Sequence, residues 1–153
     1  MITKVLVAAA IAIPAGLIAA APAIVHGDFR LGNLLADQSR ITAVIDWEIW
    51  SLGDPRVDVG WFLINCEPRT YQRPTRYENA VPPVEDLAAT YRQAIKREVP
   101  QLNWFCALAC FKSTATWSLI VKHNRRRARP DAKVEAMAAA LPRLLTRASE
   151  FLG

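Results

Sequence analysis

A chain of 153 residues, 52% apolar and 22% charged, can bury one core and is too apolar and too weakly charged for a disordered chain. The net charge of +5 suits anionic ligands such as nucleotides. It does not call for nucleic acid, because the main basic cluster, Arg125, Arg126, Arg127 and Arg129, reads as a solvated helix end.

Residues 5–25 carry no charge, are rich in alanine and are interrupted by Pro14, Gly16 and Pro22. As one continuous helix they would be about 31 Å long, enough to cross a bilayer. Ala21-Pro22-Ala23 has the small-residue outline of a signal cleavage site. Against this, alanine contributes little to membrane insertion and the prolines weaken a helix. Cleavage after Ala23 would also strip the following loop of its supporting strand. Residues 1–23 are therefore set apart as an apolar segment, either a buried helix or a signal or membrane anchor, with a short strand expected over 23–25. Residues 24–153 form the domain proper.

The next stretch carries the chemistry. Asp28 follows an apolar run, Asn33 comes five residues later, and Asp46 closes the next apolar strand. Asp37-Gln38-Ser39 favours a turn and residues 40–45 are β-branched, so a hairpin is expected with Asn33 before one strand and Asp46 after the other. The two ends of such a hairpin lie side by side, so Asn33 and Asp46 can reach one ion. Magnesium takes oxygen ligands, usually one or two carboxylates completed by water and phosphate oxygens. Asp46 would supply the charged ligand and Asn33 the neutral one. Asp28 would orient an acceptor hydroxyl and take its proton as a phosphoryl group leaves ATP or GTP. His26 is expected to hold the loop by hydrogen bonding, and Gly27 to permit a tight backbone path. Glu48 could bind a second magnesium or a neighbouring arginine. A single Asp at a strand end is most often a cap, but the joint pattern is far rarer by chance.

The stretch Val25-His26-Gly27-Asp28-Phe29-Arg30-Leu31-Gly32-Asn33-Leu34-Leu35 resembles the catalytic loop of the aminoglycoside phosphotransferase and choline kinase-like family, which shares the protein-kinase fold. Ile45-Asp46-Trp47-Glu48 resembles its metal-binding segment, and Gly53-Asp54-Pro55 with Asp58 the segment after it. The resemblance loosely reaches residue 129 and looks closest to the phosphotransferase-like modules sometimes fused to acyl-CoA dehydrogenases. It implies Asp28 as catalytic base within a loop that includes His26 and Arg30, Asn33 and Asp46 as magnesium ligands, and ATP or GTP as phosphoryl donor. It also implies an N-terminal lobe with a phosphate-covering loop, a lysine and a partner glutamate. Only twenty-five residues precede His26, with no glycine-rich loop and Lys4 as their one lysine, so that lobe is not expected among them. The fold expected is α+β: a mostly helical C-lobe with a β-hairpin carrying the metal site.

Asp54 and Pro55 are expected to start a helix with Val57, Trp61 and Ile64 on one face, Asp54 and Asp58 acting structurally as cap and loop brace. Residues 65–83, with Pro68, Pro74, Pro82 and Pro83, read as a loop. Arg69, Arg73 and Arg76 there could meet an anionic acceptor or solvent. Glu85 and Asp86 open a helix with Leu87, Tyr91, Ala94 and Ile95 as its apolar face. A longer apolar helix is expected over 104–121, with Trp104, Leu108, Phe111 and Trp117 as core. Cys106 and Cys110 fall within it and, with Cys66, read as small buried hydrophobes in a reducing cytoplasm; no zinc-ligand spacing accompanies them. Asp131 should cap a last helix with the stripe Val134, Met137, Ala138, Leu141, Leu145 and Leu152, kinked at Pro142.

The function expected is transfer of a nucleotide γ-phosphate to a hydroxyl of a small molecule, with magnesium, in the cytoplasm. The alternatives are a catalytically inactive relic that binds nucleotide and metal, and a membrane-associated form tethered through residues 5–25. The acceptor is not readable, because related folds phosphorylate many alcohols.

Overall fold

The computed structural model describes residues 20–71 and 80–153. The expectations for residues 1–19, Lys4 among them, and for Arg73, Pro74 and Arg76 lie outside these.

Strand β1 (Ala23–Val25) pairs antiparallel with β4 (Ser51–Gly53), Val25 opposite Ser51. Between them the chain makes a closed excursion. A 3-10 turn (Leu31–Asn33) leads into the hairpin β2 (Leu34–Asp37) and β3 (Arg40–Val44), joined through Gln38 and Ser39. Gln38 has φ 53°, the left-handed conformation that a two-residue hairpin connection requires. One further bond, from the Ile45 N–H to the Asn33 carbonyl at 2.9 Å, extends the hairpin to its base. Strand β4 has no counterpart in the sequence reading: three residues are too short for a period-2 pattern, and the pairing with β1 makes it a strand.

Among the described residues six helices follow: α1 (Arg56–Cys66), α2 (Pro68–Tyr71), α3 (Val84–Ile95), α4 (Leu102–Asn124), α5 (Ala132–Ala136) and α6 (Ala140–Leu152). Asp54 accepts the Arg56 N–H at 3.0 Å and grips the buried Arg56 guanidinium, which also reaches the Pro100 carbonyl and covers the Phe105 ring. The start of α1 is thus tied to α4. Helix α4 lies at the centre, packed against α1 and α6. It is long and apolar enough to cross a membrane, yet Phe105, Cys106, Ala109 and Cys110 along it are buried in the core. At Gly60, α1 comes so close to α4 that a Cβ would stand 2.6 Å from the Phe105 carbonyl carbon.

The core departs from the expected faces in register. In α4 the buried core residues include Phe105, Cys106, Ala109 and Cys110, whereas Trp104, Leu108, Phe111 and Trp117 are only half-buried. A helix apolar nearly all round carries no periodic signal to say which face meets its neighbours. In α3 Leu87, Ala88 and Tyr91 face inward, and Ala94 and Ile95 are exposed. Residues 65–83 do not form one long loop. Helix α1 runs to Cys66, and α2 follows with Pro68 at its first position, where a missing N–H costs nothing. Its Thr70 hydroxyl bonds Glu67 at 2.9 Å.

The last segment is not one continuous helix. Its interruption comes before Pro142, at a 3-10 turn (Met137–Ala139), and Pro142 sits in the first turn of α6. Leu144 and Ala148 are the buried residues of α6; Leu152 is exposed. Asp131 caps α5 by accepting the Lys133 N–H at 2.7 Å.

All three cysteines are buried free thiols. Burial pushes Cys106 and Cys110 up to about 12 and Cys66 up to about 11, which leaves them unreactive packing groups.

Candidate active site

Both halves of the site begin at the β1–β4 ribbon. The loop after Val25 and the segment before Ser51 start and end beside each other, so residues 26–33 and 45–50 face one another. Helix α1 underpins the first. Asp58 accepts the N–H of His26 at 2.6 Å on one oxygen and that of Gly27 at 2.9 Å on the other.

His26 is buried and bridges the two halves. Its Nε2 bonds the Ile45 carbonyl at 2.8 Å, and its Nδ1 lies 3.2 Å from the Asp28 N–H. A carbonyl only accepts and an N–H only donates, so this pairing requires the proton on Nε2 and the lone pair on Nδ1. Gly27 has φ 87°, and a Cβ there would stand 2.7 Å from the Ile49 carbonyl oxygen. Both conditions demand glycine.

Asp28 is gripped from three sides. Trp61 Nε1 donates to Oδ1 at 2.8 Å, while Arg30 Nε and Asn33 Nδ2 each donate to Oδ2 at 3.0 Å. Burial works to raise the Asp28 pKa. The hydrogen bonds from Arg30, Trp61 and Asn33, with the charge of Arg30, outweigh it and hold the carboxyl below its ordinary value. Oδ1 carries one of these bonds and Oδ2 two, so Oδ1 keeps the freer lone pair. Asn33 also donates to the Asp28 carbonyl at 2.8 Å, and its Oδ1 is the atom left for a cation.

A cleft of about 380 Å³ opens over this carboxylate, lined among others by Asp28, Arg30, Asp46, Glu48, Trp61 and Lys112. Asp46 is exposed and holds φ 70°, an uncommon conformation for a residue with a side chain. Among the described residues no ion pair engages Asp46 or Glu48. Nor is there a group of three or more His, Cys, Asp or Glu that could hold a metal among them. The donors expected for a metal are hard and oxygen-based: Asp46 and Glu48 line the cleft, and the Asn33 amide is buried beside Asp28. Such a sparse set fits magnesium, which keeps several waters, and does not fit zinc.

Asp54, by contrast, faces away from this chemistry. Its carboxyl is held low chiefly by the hydrogen bond from Arg56, against the effect of burial. Two contributors were missed by the sequence reading. Trp61, expected only as core, is buried but turns its indole N–H onto Asp28. Lys112, on α4, donates to the Gly27 carbonyl and lies 4.4 Å from the centre of the Trp61 ring. A signal for it existed: Lys112 is the one charged residue between positions 102 and 121.

Comparisons with known proteins bear on the family and the fold. Residues 3–105 match the model of a family described as the phosphotransferase enzyme family. The chain is 36% identical over 99 residues to acyl-CoA dehydrogenase family member 11 of Pongo abelii and 35% over 98 residues to that of Homo sapiens. Each alignment covers 58% of this chain and 13% of the relative. Acyl-CoA dehydrogenase family member 10 of Mus musculus is 29% identical over 113 residues, 66% of this chain and 10% of that one. The crystal structure of a candidate aminoglycoside phosphotransferase from Ralstonia eutropha JMP134 superposes with a TM-score of 0.68 at 25% identity, covering 85% of this chain and 42% of that one. The chain thus spans less than half the length of these relatives. The shared architecture is α+β, mostly helical with small antiparallel sheets.

Proposed function

The chain belongs to the phosphotransferase enzyme family, and we propose that it transfers the γ-phosphate of ATP or GTP to a hydroxyl group of a small molecule, with Asp28 as the base. The observation that carries this reading is the Asp28 carboxylate, held ionised by Arg30, Trp61 and Asn33 in a cleft shared with Asp46 and Glu48.

In this reading the acceptor hydroxyl donates to Asp28 Oδ1, the oxygen with the freer lone pair. A carboxylate held below its usual pKa is a weak base. It suits a loose phosphoryl-transfer transition state, in which the nucleophile must be oriented first and loses its proton late. Arg30 keeps Asp28 charged through Nε and leaves its other N–H groups to face phosphate oxygens. Asn33 and Asp46 would hold magnesium, with Glu48 beside them, and the ion would neutralise charge on the phosphates. The segment 45–50, tied to the loop through His26, keeps Asp46 at a set distance from Asp28.

The test is turnover of a magnesium nucleotide by the purified chain with a panel of small alcohols, sugars and amino alcohols. Asp28→Asn and Asp46→Asn are each expected to lose about 100-fold or more in rate. Turnover that survives Asp28→Asn overturns the role of the base. Magnesium-dependent nucleotide binding without turnover in the unaltered chain would favour a binding relic instead.

A further inference from the structure

We infer that Lys112 is a positioning residue for Asp28, acting through the peptide group between Gly27 and Asp28 and through the Trp61 indole. The inference rests on the phosphotransferase reading for its kinetic consequence, but the geometry behind it is independent of the substrate.

The peptide plane between Gly27 and Asp28 is pinned at both ends. Its carbonyl accepts from Lys112 Nζ, and its N–H points to His26 Nδ1 at 3.2 Å. The preceding plane is pinned too, by the Gly27 N–H on Asp58 Oδ1 at 2.9 Å. With φ of 87°, Gly27 occupies a conformation from which a glycine can leave easily, because its backbone has the widest freedom of any residue. Something must hold it. Asp58 and His26 hold the N–H groups, and Lys112 is the group that holds the carbonyl. Rotation of that plane would swing the Asp28 Cα–Cβ bond away from the cleft.

The second route runs through Trp61. The Lys112 ammonium lies 4.4 Å from the ring centroid, over the face, while the ring edge donates Nε1–H to Asp28 Oδ1 at 2.8 Å. A cation over the π face draws electron density from the indole, which makes its N–H a stronger donor. Lys112 therefore acts twice on one carboxylate without touching it. Burial lowers the lysine's own pKa, and the nearby Asp28 and Asp58 carboxylates work against that. A lysine half-buried on an otherwise apolar helix face has to be held by such partners.

The experiment uses the full chain and three variants: Lys112→Met, which keeps the length of the side chain without charge or donor, Lys112→Arg, which keeps both, and Trp61→Phe. Trp61→Phe assigns the Trp61 Nε1–H resonance in a nitrogen–proton spectrum. Lys112→Met is expected to move that resonance upfield, the direction of a weaker hydrogen bond, and Lys112→Arg to restore most of it. In turnover, Lys112→Met is expected to lower kcat about 10- to 100-fold, as for a misplaced catalytic group, with KM for the nucleotide within about twofold of the unaltered chain. Lys112→Arg should recover most of kcat. An indole resonance and a kcat that Lys112→Met leaves unchanged overturn the inference. So does an equal loss in Lys112→Arg and Lys112→Met. If Lys112→Met fails to fold, the comparison is made with Lys112→Gln. If the unaltered chain shows no turnover, the phosphotransferase reading fails, and the indole resonance alone decides the role of Lys112.

Discussion

Asp58 illustrates how one side chain governs the loop. Its two oxygens accept the N–H groups of consecutive residues, His26 and Gly27, at 2.6 and 2.9 Å. These donors sit beside a buried imidazole, out of easy reach of water, so removing the acceptor leaves them unpaired. Asp58→Ala is expected to cost about 2 kcal/mol or more, and Asp58→Asn, which retains one acceptor oxygen, about half as much. Urea unfolding of the two variants checks the order; an Ala variant as stable as the parent chain would remove Asp58 from this role. The position was legible in sequence as a loop brace, because Asp58 follows Pro55 by less than a helical turn. The identity of the groups it braces was not, since they lie 31 and 32 residues away.

Among the elements, the pair α1 and α4 decides whether the site exists. Helix α1 brings Asp58 and Trp61, and α4 brings Lys112. Gly60 sets their separation, because a Cβ there would meet the Phe105 carbonyl carbon at 2.6 Å and its oxygen at 2.7 Å. Those are backbone atoms and cannot rotate away, so the helices must move apart. Gly60→Ala is expected to cost about 1–3 kcal/mol by overpacking and to lower turnover as Lys112 loses its register on Trp61. Thermal unfolding and kcat measured together check this, and a variant with both values unchanged would show that the helices tolerate the separation. The extents of α1, α3 and α4 were readable within a few residues from caps and apolar runs. Their buried faces were less so: α4 is apolar on nearly every side, and only its neighbours choose between Phe105 and Trp104 as the inward residue.

At the scale of the whole molecule, the end of α1 is fastened to α6 by a buried ion pair. Arg147 Nε and Nη2 donate to the two oxygens of Glu67 at 2.9 and 2.6 Å, and Thr70 adds a third bond. Burial favours the neutral acid, but Arg147 and Thr70, with Arg69, outweigh it and hold Glu67 below its ordinary value. A carboxyl depressed in the folded state contributes stability that is present above its unfolded pKa of about 4.3. That contribution is lost as the pH falls through the lower, folded value. Stability of the parent chain should therefore decline steeply below about pH 4, and Glu67→Gln should flatten that decline. At neutral pH the same variant is expected to cost about 3 kcal/mol, because it leaves Arg147 without its buried counter-charge. Denaturant midpoints across that pH range check both; a variant with the parent's acid slope would locate the acid sensitivity elsewhere.

What the amino-acid order determined by itself is whatever neighbours in the chain build together. The His26–Asn33 loop, the hairpin with Asn33 and Asp46 at its base, the Asp131 cap and the family all follow from short spacings, because turn chemistry and strand alternation act over a few residues. The tertiary structure decided the rest. It made a strand of Ser51–Gly53, whose only reason to extend is β1. It turned the Trp61 indole onto Asp28 across 33 residues and set Lys112 against Gly27 across 85. Contacts of that span depend on how closely and at what angle two helices pack. Periodicity does not encode that geometry; a glycine facing a backbone carbonyl does.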